Sequence, residues 1–314
     1  MHILLAPCAA FASRRKGSSA RSLRPGNILA CTALVAVALV AAALASGCRS
    51  VPDEEVIVRD VRKGQEIIAG ADALYDRGKY YKAFLEYEKG LQYYPDSPRR
   101  EEIVRREITE IGYGYIDGKI KHGWFGTGLF ARPRPEKGVE VIQQTVRSHL
   151  SQRYPFLADA QYRVATYLFD EGEHARAEHE FEYLLENFKD SYWTTISEFL
   201  LAESLFLQNM GPKFDQGTLD DAKYRYEEYL RRIGKDGGGG SEERAEKAQE
   251  RLAKIHLLKA EKIYLIGKAY YRSGDYRASR FQLRLVLAGY GDTEWATKAG
   301  EMLKEVQAKI DEEG

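Results

Sequence analysis

The chain has 314 residues, with 47 Lys+Arg against 47 Asp+Glu, and 44% of its residues are hydrophobic. Residues 1–47 hold five basic residues (Arg14, Arg15, Lys16, Arg21, Arg24) and no acidic one, which leaves the remainder at 42 against 47, a net charge of −5. This balance argues against a nucleic-acid binder, and the apolar content excludes wholesale disorder.

From Pro25 to Cys48 no residue is charged, and Ile28 to Ala45 reads ILACTALVAVALVAAALA behind the basic stretch. A basic start followed by an apolar run is the pattern of an export signal. The run ends Leu44-Ala45-Ser46-Gly47-Cys48, which resembles a bacterial lipobox. It predicts a signal peptide over 1–47, cleavage between Gly47 and Cys48, and a covalent lipid on Cys48 in a lipidated linker over 48–63. More than one acyl chain there gives durable anchoring, since each buried methylene contributes about 0.8 kcal/mol. Arg49, where an Asp would signal inner-membrane retention, sends such a lipoprotein to the outer membrane. The alternative is an uncleaved signal anchor, because a run of about 18 apolar residues approaches the length of a bilayer span. Cys8 and Cys31 fall within the signal, so the mature chain can form no internal disulfide and no thiolate metal site.

Beyond the linker the sequence repeats itself. Ala71, Leu74, Gly78, Tyr80, Ala83, Tyr87, Gly90 and Pro95 fall on positions 8, 11, 15, 17, 20, 24, 27 and 32 of the tetratricopeptide pattern. The same frame returns as Val164, Ala165, Leu168, Gly172, Ala177, Phe181 and Leu184, and again as Ile263, Ile266, Gly267, Tyr270, Gly274, Tyr276, Ser279, Leu283 and Val286. Ala222, Tyr226 and Tyr229 mark another second helix. Small residues at positions 8 and 20 let paired helices approach, and glycine at 15 supports the turn between them. A lone hairpin leaves apolar surface exposed, so the core closes only by stacking neighbours. Asp96-Ser97, Asp190-Ser191 and Asp292-Thr293 recur at the joints, each predicted to offer a side-chain oxygen as a cap for the next helix.

Ala83 and Ala177 are 94 positions apart, room for a degenerate repeat with helices at about 99–117 and 137–153, ended by Pro155. Its Gly- and Pro-rich insertion, Lys119 to Gly138, reads as a loop. Gly211 to Asp220 splits the fourth hairpin, and Asp236 to Ser241 (DGGGGS) breaks the chain before a long helix carrying Glu243/Lys247 and Glu250/Lys254 as i,i+4 pairs. The predicted fold is all-α: a tetratricopeptide right-handed superhelix of about five hairpins over 64–311, closed by a helix at about 294–310.

The connecting phrases, in order, resemble the outer-membrane assembly lipoprotein family BamD (YfiO-type). They are Tyr154-Pro155, Ala158-Asp159-Ala160-Gln161, Gly172 to Phe181, Asp215 to Leu230, Arg251 to Tyr271, Gly274-Asp275-Tyr276 and Tyr290 to Thr293. Lys189 and Gly291 depart from the family's repeat-ending proline, as does Gly234, and the Trp124/Phe125 loop is an addition. The resemblance implies a non-enzymatic scaffold on the periplasmic side of the outer membrane. It implies binding to the POTRA region of BamA and to other assembly-complex subunits, and to unfolded β-barrel clients. The C-terminal hairpins, about 193–311, are the expected BamA surface. A tetratricopeptide lipoprotein for envelope division or pilus assembly is the alternative; a helical cell-wall hydrolase is a third.

Two candidate binding elements follow from residue placement. Position 12 of the frame, facing the concave side of such a stack, holds Tyr75, Phe169 and Tyr271, with Asp72, Asp76 and Asp170 nearby. These either form a peptide groove or pack between helices. Trp124, Phe125, Leu129 and Phe130 sit in the inserted loop, which either docks on a partner or membrane surface or folds back on its own hairpin. His122, His149, His174, His179 and His256 show no zinc-protease spacing, so no metal and no cofactor beyond the lipid is expected. Gly112 to Lys119 (GYGYIDGK) lacks phosphate-loop spacing, and no G-x-S-x-G element occurs.

Overall fold

A computed structural model describes residues 60–122, 132–209, 211, 217–236 and 242–313, and over these the chain is all-α apart from one two-residue ladder. The signal run, Cys48 and the loop aromatics Trp124, Phe125, Leu129 and Phe130 lie outside the described residues. Among the described residues, no helix is long and apolar enough to cross a membrane.

The helices follow the apolar spacing in pairs. The first pair is α1 (Val61–Asp76) with α2 (Tyr80–Tyr93). The second is a continuous rod with α5 (Pro135–His149); the rod comprises α3 (Arg100–Arg106), a π turn (Glu107–Gly112) and α4 (Tyr113–Ile116). Then come α6 (Phe156–Asp170) with α7 (His174–Asn187), and α8 (Thr194–Leu207) with α9 (Gly217–Asp236). Last are α10 (Glu242–Arg272) with α11 (Tyr276–Gly289), flanked by α12 (Glu294–Glu313).

Three of the turns between partners are built alike. Gly78, Gly172 and Gly274 have φ of 69°, 77° and 82°, the left-handed region that glycine enters without a Cβ penalty. In the first, the Gly78 amide donates to the Tyr75 carbonyl at 2.8 Å and Lys79 to Leu74 at 2.9 Å. Gly172 and Glu173 bond Phe169 and Leu168 in the same way, as Gly274 and Asp275 bond Tyr271 and Tyr270. Each is a Schellman cap, which satisfies the carbonyls left orphaned at a helix end. The small residues of the frame do what their size dictates: Ala71, Ala83, Ala165, Ala177 and Ser279 are fully buried, and a Cβ on Gly267 would stand 3.0 Å from Leu283.

Several expected details are corrected. At the first two joints the serine oxygens bond the N-cap residue itself rather than the first turn of the helix: Ser97 Oγ accepts from the Arg99 amide at 3.3 Å and Ser191 Oγ from the Trp193 amide at 3.1 Å. Thr293 turns around and donates to the Tyr290 carbonyl at 2.8 Å. The predicted helix at 137–153 begins at Pro135, a favoured N1 residue, and gives way after His149 to a 3-10 turn (Leu150–Gln152). The inserted loop is correspondingly shorter than Lys119–Gly138, and its base is pinched by an antiparallel ladder, β1 (Lys121–His122) against β2 (Arg132–Pro133). Helix α9 starts at Gly217, inside the expected interruption. Lys247, expected to pair with Glu243 along its own helix, reaches across to Glu203 Oε2 at 2.9 Å.

One core runs from α1 into α10, through Tyr87, Ile108, Ile142, Leu157, Phe181, Leu201 and Tyr226. A second, smaller core around Leu283, Val286, Ala296, Ala299 and Val306 holds α11 and α12.

Candidate functional site

The three position-12 aromatics each sit three residues before a Schellman glycine, and each meets the ring that opens the following helix. Tyr75 lies edge-on to Tyr80 at 5.1 Å between centroids, Phe169 edge-on to His174 at 5.3 Å, and Tyr271 tilted to Tyr276 at 5.6 Å. All three are half-buried. The recurrent spacing of five therefore clasps each hairpin at its turn. Tyr75 also donates to Glu110, and burial with the help of that carboxylate pushes its phenol above the ordinary value.

Asp72 is not an open groove acceptor. It takes hydrogen bonds from Arg99 at 2.7 and 3.1 Å, from Tyr87 at 2.7 Å and from Arg106 at 3.2 Å, tying α1 and α2 to the start of the rod. The Arg99 bond above all holds its carboxyl below the usual range, against the opposing effect of burial. The Tyr87 phenol, desolvated and facing Asp72, is pushed up to about 12. Asp76 and Asp170 are exposed and occupy the last position of their helices, where the helix dipole disfavours a negative charge.

Similar hubs recur along the chain. Buried Glu180 accepts from Gln143 at 2.7 Å, Gln161 at 2.8 Å and Arg147 at 3.1 Å. Buried Glu203 accepts from Arg251 at 2.8 and 3.1 Å, and also pairs with Tyr226 and Lys247. Burial alone would raise the Glu203 carboxyl, but the Arg251, Tyr226 and Lys247 bonds outweigh it and leave it lowered.

A cleft of about 1130 Å³ opens between the α5–α6 and α7–α8 joints, bordered by Arg153, Tyr154, Asn187, Phe188, Lys189 and Tyr192. Its rim is aromatic: Tyr154 stacks on Phe156 at 5.3 Å, and Tyr192, 88% exposed, stands edge-on to Trp193. Trp193 in turn stacks on Tyr162 at 4.1 Å and donates to Asp159 at 2.6 Å. Arg153 holds a left-handed φ of 52° at this edge, a conformation that costs a non-glycine residue about 1 kcal/mol. Such a cleft can hold an extended segment through ring contacts and backbone hydrogen bonds. The departure at Lys189 falls within it.

Helix α11 carries Arg277, Arg280 and Arg284 and no acidic residue. It leaves Phe281 and Leu285, one turn apart, 61% and 41% exposed.

Sequence reasoning missed a buried group at the rod. Glu88 from α2, Glu107 from the π turn and His149 from α5 bring one ligand-type atom each to within 4.8 Å of one another. His149 lay at the end of an amphipathic helix with no second histidine in register, so no spacing signal marked it. No family model matches the chain, and no curated protein matches it in a sequence search.

Proposed function

We propose that the chain is a lipid-anchored, non-enzymatic tetratricopeptide scaffold of the BamD kind, attached through Cys48 to the outer membrane on its periplasmic side. In this role its N-terminal hairpins receive unfolded β-barrel segments, and its hairpins over about 193–311 face the POTRA region of BamA. The observation that carries this reading is the threefold return of one turn: Schellman glycine, aromatic clasp and fully buried small residues, each at its tetratricopeptide position. Repeat hairpins of this kind expose side chains for binding on a self-buried framework and need no reactive group. The aromatic cleft beside Tyr192 and the arginine-bearing face of α11 offer surfaces of two different kinds, one for extended chain and one for a folded partner. Asp76 and Asp170, held against their helix dipoles, are available to a client's amide or basic groups.

The test is affinity purification of the tagged chain from detergent-solubilised outer membranes, with mass spectrometry of the N-terminal peptide. Recovery of BamA together with a diacylated Cys48 peptide is the expected result. Recovery of division or pilus proteins without BamA, or an unmodified Cys48, overturns it.

A further inference from the structure

The Glu88, Glu107 and His149 group joins the first helical pair to the second. Glu88 comes from α2 and Glu107 from the π turn, while Thr145 and His149 come from α5 and Arg100 from α3. The short helix α4, which also adjoins the π turn, brings no charged residue. The π turn itself permits the arrangement. Its Gly112 and the facing Gly138 of α5 let the backbones approach so closely that a Cβ on Gly138 would lie 2.5 Å from the Gly112 carbonyl oxygen. The same turn carries the Glu107 carboxyl group inside the core.

The protons of the group can be assigned from donors and acceptors. Arg100 has donors only, and its Nε and Nη2 lie 3.3 and 3.1 Å from His149 Nδ1, so that nitrogen accepts. The ring proton is therefore on Nε2, 2.8 Å from Glu88 Oε1, and is donated to it. Glu107 is fully buried; its Oε2 accepts from Thr145 at 3.2 Å, while its Oε1 has no hydrogen-bond donor. A divalent cation does not fit this donor set. It would need the Nε2 lone pair, leaving Nδ1 protonated and facing a guanidinium, whereas a metal-bound histidine directs its second N–H at an acceptor.

We propose that Glu88 and Glu107 share a buried proton, carried on Glu107 Oε1 at neutral pH, which makes the packing of α2 and the π turn against α5 sensitive to alkali. With that proton present, the Arg100 cation balances the Glu88 anion and every member has a partner. Loss of the proton to water leaves two carboxylates facing each other in the core beside a single cation. The energetics agree: burial first, and then the charge of Glu88, push the Glu107 carboxyl well above the ordinary value. A raised acid stabilises the fold fully below its unfolded value, and that contribution is lost as pH rises through the folded value.

Denaturant unfolding of the whole chain in detergent, as wild type and Glu107→Gln, tests this between about pH 5 and about pH 9. A single extra native proton makes the wild-type to variant ratio of unfolding constants rise about tenfold per pH unit below the folded value. Glutamine, which imitates the protonated acid, flattens the profile and makes the variant the more stable form in alkali. Equal slopes in the two proteins overturn the proposal. So does stabilisation of the wild type, but not of the variant, by added zinc ion alone. Should Glu107→Gln not fold, infrared spectra of the wild type decide: a protonated-carboxyl band at neutral pH is expected, and its absence refutes the shared proton.

Discussion

The pairs from α1 to α9 and the last pair, α11 with the end of α10, use the same turn but are held together differently. In the first region the apolar core is continuous, half-buried Asp72 ties the first pair to the rod, buried Glu180 ties α7 to α5, and buried Glu203 ties α8 to the start of α10. In the last, a core of five buried residues is supplemented by an exposed bond, His256 to Asp292 at 2.9 Å, and a half-buried one, Arg280 to Gln307 at 3.3 Å. A hairpin turn is local and can be copied unchanged, whereas joining hairpins needs partners from distant sequence. The C-terminal region is therefore expected to open more readily than the first.

The largest break in that comparison comes from the continuous core. Phe181→Ala is expected to cost about 4 kcal/mol of global stability in denaturant unfolding. Leu283→Ala costs about 3 kcal/mol, but hydrogen exchange is expected to show the loss only in α11 and α12. If Leu283→Ala lowers protection in α1 and α2 as well, the two regions are one cooperative unit. Glu203→Ala leaves buried Tyr226 and half-buried Arg251 without their acceptor and is expected to cost about 3 kcal/mol; a loss no larger than that of an exposed carboxylate would remove the hubs from the account.

Gly78→Ala, Gly172→Ala and Gly274→Ala sharpen the comparison from the other side. All three should cost about 1 kcal/mol by thermal unfolding, because the strain belongs to the turn and not to its surroundings. Asp72 predicts an acid limb. Its carboxyl is held below the ordinary value, so its contribution is present above the unfolded value and is lost as pH falls through the folded one, below about pH 4. Arg99 is 39% exposed, so solvent screening limits the effect to about 1 kcal/mol, and Asp72→Asn should remove that limb from an acid titration. The smallest stability effect is expected for Phe281→Ser with Leu285→Ser, within about 0.5 kcal/mol of wild type. Recovery of the partner in affinity purification should nonetheless fall several-fold; unchanged recovery would show that this face is not the docking surface.

Much of the helical pairing was legible before any coordinates, because an apolar stripe needs only spacing and a Schellman turn needs only its glycine. The aromatic of position 12 was legible as a recurrence but not as a contact, since its ring could face a groove or the next helix equally well by period alone. Asp72 was misjudged for a related reason: nothing within α1 announces that Arg99 and Arg106, well downstream in the chain, will converge on it. Each Asp-Ser/Thr joint was legible as a source of a side-chain oxygen, but not that Ser97 and Ser191 would bond the amides of the N-cap residues Arg99 and Trp193 rather than those of the first helical turn.

Amino-acid order alone determined the helical class, the small residues buried at each pairing, and the three glycine turns, because each depends on interactions within a few residues of chain. Only the tertiary structure decided where the buried charges go. Glu88, Glu107 and His149 lie on three separate elements, and it is the π turn and the close approach at Gly112 and Gly138 that bring them into one desolvated space. There a proton becomes cheaper to keep than to lose.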